Sequence, residues 1–552
     1  MNVFRKLVIL AHRYLGIALS LLAVLWFATG IVMMYAGGMP QLTVQMRRDR
    51  LPNLDLSRVQ LSPAEAAAEA VASTESSAPG LPARRLTGGG RVLLLTVMDR
   101  PAYRVGGVTV FADNGEVLGE VSLAQARTIA SRFVRMPEER VTHVRTLSRT
   151  DQWTLGQNRA LPLHKFSVDD ADATELYVQQ GTGDVTVLTT RRSRMLAWIG
   201  TIPHWMYFTA LRNNHKVWFR FMVSTSAALC LVAMLGLILS VTQFRKTRPF
   251  RLGRAIPYSG WMRWHYIAGA VFGVFTLTWA FSGLLSMEPF EWTDAPGVAV
   301  PRDVFTGGLI NLSRFAAPDA TTWSRVLNGR AIKEVEFERI QDEHYYIVRQ
   351  APDARDEGRR SERLHQPYPV TGSVEPDRVL VAADTLEVRR APFSAESLLA
   401  RLKAALPDVP IVQTTSLSDY DSYYYSRGRQ TPLPVLRVKF GDPAQTWFYI
   451  DPETSQIVSQ LHRLNRIERW LYNGLHSLDF SFWYDKRPLW DIGVIVLLVG
   501  GLASSGIGLY LGVTRVWHAA LRGARSWAGR SVTAPASAPA PVSRSALPRS
   551  GL

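Results

Sequence analysis

Four of the eleven histidines fall in a pattern that the chain writes twice. Its first part reads His12-x3-Gly16-x9-Trp26-x3-Gly30-x3-Met34 and returns as His265-x3-Gly269-x9-Trp279-x3-Gly283-x3-Met287. Its second part reads Arg194-x3-Trp198-x5-His204-x3-Phe208-x9-Trp218-x17-Gly236-x4-Val241-Thr242. That returns as Arg466-x3-Trp470-x5-His476-x3-Phe480-x9-Trp490-x17-Gly508-x4-Val513-Thr514. Neutral imidazole is a common metal ligand. Paired imidazoles from different helices are the axial set of low-spin haem, whose iron changes redox state with little ligand movement. The expectation is two bis-histidine haems, His12 with His265 and His204 with His476. The bland alternative is four interfacial histidines, and recurrence at two duplicated positions weighs against it. Zinc competes, but no Cys or carboxylate stands beside these histidines at a zinc-like spacing.

Several neighbours are weaker candidates. His215 has no counterpart, since Arg487 fills its place; it reads as a spare ligand or a propionate partner. Arg194 and Arg466 precede the outer histidines by ten residues. They could pair with propionates or an anionic substrate, or anchor in headgroups. Trp26 and Trp279 could line haem edges, though packing explains them as well. Met34 and Met287 read as filler. Gly16, Gly30, Gly269 and Gly283 would let a flat ring approach a helix backbone. Tyr345-Tyr346 and Tyr423-Tyr424-Tyr425 could face an aromatic ligand, but ordinary strand composition accounts for them.

Long apolar helices must position these histidines. Mean hydropathy near zero hides four stretches without Asp, Glu, Lys, Arg or His: Tyr14–Tyr35, Phe221–Gln243, Tyr266–Met287 and Ile492–Thr514. Each would be about 33 Å long as a helix, enough to span a bilayer. The first resembles a signal peptide in following Arg5 and Lys6, but it is too long and lacks a clean cleavage site. The net charge of +17 invites a nucleic-acid reading. The cations instead gather in Arg245–Trp264 and after Asp491, where no acid follows. Basic loops mark the cytoplasmic side. The expectation is a multi-pass protein of the bacterial inner membrane with both termini cytoplasmic. The single Cys230 lies within a span and excludes an intrachain disulfide.

In order, the expected parts are 1–36 (N-terminus and first span), 37–193 (first periplasmic insert) and 194–244 (interfacial segment and second span). Then come 245–264 (basic cytoplasmic linker), 265–287 (third span) and 288–465 (second insert). Last are 466–515 (interfacial segment and fourth span) and 516–552 (basic, Ala/Pro/Ser-rich tail, disordered beyond 531 by composition). Within the inserts, Ser62-Pro63-Ala64-Glu65 and Ser122-x-x-Gln125 start helices. Strands are predicted at Arg91–Met98, Ala102–Ala112, Thr174–Gln179 and Val185–Thr189. In the second insert they fall at Ala331–Glu338, Tyr345–Arg349, Val379–Ala382, Leu386–Arg389, Tyr423–Tyr425 and Val435–Phe440, before a hairpin over Trp447–Leu461. A helix follows Ser394. The fold class is a membrane α-helical protein: a duplicated four-helix transmembrane bundle with two α+β extracytoplasmic inserts.

Three stretches carry a family resemblance: His12-Arg13-Tyr14-Leu15-Gly16, Leu475-His476, and Trp447-Phe448-Tyr449-Ile450-Asp451-Pro452-Glu453-Thr454. With them the chain resembles the PepSY-associated transmembrane family over roughly residues 5–520, the last stretch resembling the closing hairpin of a small PepSY module. One departure is His476-Ser477-Leu478 where members often carry His-Thr-Gly, which leaves the ligand in place. The resemblance implies b-type haem between four helices and reduction of ferric iron in a siderophore. No Gly-rich nucleotide fingerprint follows a predicted strand, so the implied electron donor is separate, a quinol or a soluble reductase. Two other classes remain open: a PepSY-based binding protein that restrains a peptidase, and a haem or metal transport accessory.

Overall fold

The structure, a computed structural model, describes residues 3–77, 91–245, 252–351, 378–425 and 431–532. The linker cations Lys246, Arg248 and Arg251 and the Ala/Pro/Ser-rich stretch after Val532 lie outside the described residues. Among the described residues four long helices occur: α1 (Val3–Ala36), α2 (His215–Thr242), α3 (Gly260–Leu285) and α4 (Leu489–Val532). Each contains a segment long and apolar enough to cross a membrane. They begin before the charge-free stretches, because helix-forming flanks such as Arg5 and Lys6 continue the turn at no cost in water. Many of their large apolar side chains are exposed, among them Leu21, Leu231, Met234, Val271, Val274 and Val496. A soluble protein rarely leaves such faces uncovered, whereas a bilayer solvates them.

The chain divides into two compact units. One comprises Met1–Val24, Ala228–Leu277 and Val499–Leu552; the other comprises Leu25–Ala227 and Thr278–Leu498. In the first, helices approach closely at glycines. A Cβ on Gly273 would meet Leu237 at 2.9 Å, and one on Gly512 would meet Ile17 at 3.2 Å. Small residues at such crossings let backbones pack without lipid between them.

Among the described residues the second unit holds every strand. Strands β1 (Val92–Val97), β2 (Arg100–Val105) and β3 (Val108–Phe111) are followed by β4 (Val141–Leu147), β5 (Leu163–Val168), β6 (Glu175–Gln179) and β7 (Val185–Thr189). From the second insert come β8 (Ile332–Ile340), β9 (Glu343–Gln350), β10 (Arg378–Ala382) and β11 (Val388–Arg389). The last four are β12 (Ile411–Leu417), β13 (Val435–Phe440), β14 (Trp447–Asp451) and β15 (Gln456–Leu461). Two four-stranded antiparallel sheets, β4-β5-β6-β7 and β12-β13-β14-β15, each pack an amphipathic helix on one face. These helices are Leu123–Val134, closed by the Ser122/Gln125 capping box, and Ala395–Ala405, capped by Ser394.

Three features differ from the sequence expectation. Ala102–Ala112 is two strands, because Gly106 and Gly107 take φ of 56° and 96° and turn the chain. Tyr423–Tyr425 is a turn, in which the Asp421 carboxylate accepts the N–H groups of Tyr423 and Tyr424 at 2.8 and 2.7 Å. The third is the largest: strands from the two inserts pair with each other. Strands β1 and β8 pair antiparallel, Val92 opposite Phe337 and Leu95 opposite Glu334, giving one seven-stranded sheet β11-β10-β9-β8-β1-β2-β3. Glu334, 1% exposed, meets Arg47 and Arg48 at 3.3 Å each, and Glu336 is held by Arg91. Buried carboxylates need such partners.

Candidate functional site

Each of the four repeated histidines is held by its own neighbourhood and faces one other histidine. In the first unit, His12 of α1 donates from Nδ1 to the Val232 carbonyl of α2 at 3.0 Å. His265 of α3 donates to the Ser504 carbonyl of α4 at 3.1 Å. A carbonyl only accepts, so Nδ1 carries the proton and Nε2 keeps its lone pair. A Cβ on Gly236 would fall 2.9 Å from His12 Cε1, and one on Gly508 would fall 3.1 Å from His265 Cε1. Glycine at both positions leaves the rings room. The His12 and His265 ring centres are 6.3 Å apart.

In the second unit, His204 and His476 end short helices that follow π-helical turns at Ala197–Thr201 and Trp470–Gly474. Two residues after each histidine the chain turns left-handed, at Met206 (φ 51°) and Leu478 (φ 49°). Such π turns widen a helix locally and cluster at functional sites. The Thr29 hydroxyl gives its proton to the Leu25 carbonyl at 2.7 Å and accepts from His204 Nδ1 at 2.9 Å. Ser282 gives its proton to the Trp279 carbonyl and accepts from His476 Nδ1 at 3.0 Å. These ring centres are also 6.3 Å apart. Burial, then the neighbouring His476, pushes His204 down to about 3, and burial pushes His476 down to about 4. Both imidazoles are neutral at pH 7, the state that binds a metal.

The four rings therefore share one tautomer. Among the described residues no hydrogen bond is made to Nε2 of any of them. At each pair, two imidazoles 6.3 Å apart with Nδ1 engaged elsewhere are residues that could hold a haem iron between them. Among the described residues, no group of three or more His, Cys, Asp or Glu is arranged to hold a metal on protein ligands alone.

The remaining candidates lie elsewhere. His215 meets Arg212 at 3.1 Å and stacks on Trp218. Arg194 donates to Thr189 Oγ1 and the Ala173 carbonyl, both at 2.8 Å, tying its helix to the β4–β7 sheet. Arg466 donates to the Gln445 carbonyl at 2.9 Å and lies 4.1 Å over the Trp447 ring. Trp279 donates to the His476 carbonyl at 2.8 Å, while among the described residues the buried indole N–H of Trp26 makes no hydrogen bond. A Cβ on Gly16 would meet nothing within 4 Å and one on Gly269 would meet Ser504 at 3.8 Å, while Gly30 and Gly283 lie beside the His204 and His476 rings. Sequence reasoning missed Thr29 and Ser282, although a hydroxyl residue directly before each repeated Gly30 and Gly283 was visible.

These helices and paired histidines define a polytopic membrane protein with two facing pairs of buried imidazoles. The family model for the PepSY-associated TM region matches residues 9–324, and the chain belongs to that family. No curated protein matches the chain.

Proposed function

We propose that the protein is a di-haem b oxidoreductase of the bacterial inner membrane. Both termini are cytoplasmic, and the acceptor is periplasmic, foremost ferric iron in a siderophore. The observation that carries this reading is the recurrence of one arrangement: two imidazole pairs at 6.3 Å, every Nδ1 engaged and every Nε2 free. His12 with His265 and His204 with His476 would hold the two groups, each of which supplies one-electron transfer when bound. Val232, Ser504, Thr29 and Ser282 orient the rings and fix their tautomer. The same pairing supports an internally duplicated fold, because each contact in one half has its counterpart at the matching position of the other. The donor is a separate quinol or soluble reductase, and the sheet-bearing unit docks the acceptor. Reduction weakens the chelate, since ferrous iron binds hard oxygen donors less well.

The test is a reduced-minus-oxidised spectrum of purified protein, followed by mixing the reduced form with a ferric chelate. A b-type alpha band that is lost on mixing is the expected result. Folded protein without a chromophore overturns the reading, as does a chromophore that stays reduced.

A further inference from the structure

The two small sheets place different side chains at matching positions of one face. On β5 and β6, Lys165 lies opposite Tyr177 and Ser167 opposite Glu175. On β13 and β14, Arg437 lies opposite Tyr449 and Lys439 opposite Trp447. In the first sheet Glu175 neutralises the cluster, meeting Lys165 at 2.8 Å and Arg194 at 3.8 Å. In the second sheet tryptophan stands in the carboxylate's place and lysine in the serine's. Three cations lie over Trp447: Arg466 at 4.1 Å, Lys439 at 4.2 Å and Arg437 at 5.5 Å from its ring centre. Asp421 balances Arg437 at 2.7 Å. Among the described residues neither Lys439 nor Arg466 has a carboxylate within salt-bridge distance. Burial, then Arg437 and Arg466, lowers the Lys439 pKa, as expected of a cation crowded by its own sign.

We infer that Lys439, Arg466 and Trp447 form a binding site for a polyanionic aromatic chelate, a metal tris-catecholate, which would supply the missing negative charge. Stacking on indole fixes both cations while leaving their charge uncancelled. A catecholate brings anionic oxygens for the cations and an aromatic edge for the half-buried indole and for Tyr423, whose ring is 5.4 Å from Trp447. A neutral or cationic trihydroxamate brings neither. The site is continuous with the second histidine pair. Tyr423 accepts from Trp470 Nε1 at 3.0 Å, Trp470 stacks on Phe480, and Trp470 opens the π turn before His476. The inference rests on the proposed function only in taking the ligand to be the acceptor.

Gallium(III) is not reducible here, so its complexes separate binding from electron transfer. Titration calorimetry would compare trianionic gallium tris-catecholate with the cationic gallium complex of desferrioxamine, using the full chain in detergent. The expected result is binding of the catecholate alone. Lys439→Gln should weaken it roughly fivefold to tenfold, as for loss of one charge pair at a partly desolvated site. Lys439→Arg should retain it, and Trp447→Glu, which restores the charge balance of the first sheet, should abolish it. Equal affinity for both complexes overturns the inference, as does unchanged binding in Lys439→Gln. Displacement by inorganic phosphate at equal concentration also overturns it, because the site would then read charge alone. Catecholate binding without a chromophore leaves this site standing and removes the proposed function; oxidation of reduced protein by a ferric chelate without catecholate binding does the reverse.

Discussion

At the scale of single residues, the decisive feature is what stands behind each imidazole. A ligating histidine must have the right nitrogen deprotonated and the ring held against rotation, and the group on its other nitrogen does both. For His12 and His265 that group is a peptide carbonyl, which no substitution removes. For His204 and His476 it is the hydroxyl of Thr29 or Ser282. Thr29→Val replaces that acceptor with a methyl group and leaves the His204 ring only its backbone contact at Trp26. The affinity of this site for haem should fall roughly 10- to 100-fold, the usual cost of an outer-shell partner, while Thr29→Ser should behave as wild type. Haem retained against a scavenging apoprotein measures this, and retention by Thr29→Val equal to wild type would count against the arrangement. Gly236→Val makes the complementary case: with the first added carbon 2.9 Å from His12 Cε1, the ring must move and the His12–His265 site should empty while the other stays filled. The histidines were legible because ligand chemistry is confined to few residue types. Thr29 and Ser282 were not, because a hydroxyl inside a helix usually bonds back to its own backbone, and these two do that as well.

At the scale of elements, helices and strands were read closely where local rules decide them. The Ser122/Gln125 box and the Ser394 cap stand where the sequence placed them, since a cap is a contact within one turn. The seven-stranded sheet was not legible, because pairing of β1 with β8 joins segments more than two hundred residues apart and leaves no periodic trace. That junction crowds acids: Glu334, Glu336 and Glu338 lie on one strand, and burial, then Glu336, pushes Glu338 up to about 7. The sign follows from linkage. The folded chain holds this proton more tightly than the unfolded chain, so the group costs stability as pH rises from about 4.5 to 7. By that reasoning Glu338→Gln should raise stability by about 1–3 kcal/mol at pH 8 and change little at pH 4. Thermal unfolding of the two proteins at both pH values checks it; an equal gain at each pH would mean the carboxylate is not the cause.

At the scale of the whole molecule, holding a ring and pairing it are done by different parts of the chain. Every imidazole is fixed from its own half: His12 by Val232, His204 by Thr29, His265 by Ser504 and His476 by Ser282. Every pair is made between halves, His12 with His265 and His204 with His476. One half alone would present two oriented rings with nothing opposite either, so neither site is complete until both halves fold together. This division of labour fixes the outcome of a substitution series. His12→Ala and His265→Ala should remove the same spectral component, and His204→Ala and His476→Ala the other. Each double substitution within a pair should lose no more than either single one, because half a ligand set is already none. Redox titration followed at the alpha band resolves the two components if their potentials differ, and low-temperature spectra resolve them if they do not. Should His12→Ala remove the component lost in His476→Ala, the rings would be paired within a half-and-half scheme unlike this one, and the spacing of 6.3 Å in both pairs would have to be the packing of bare imidazoles.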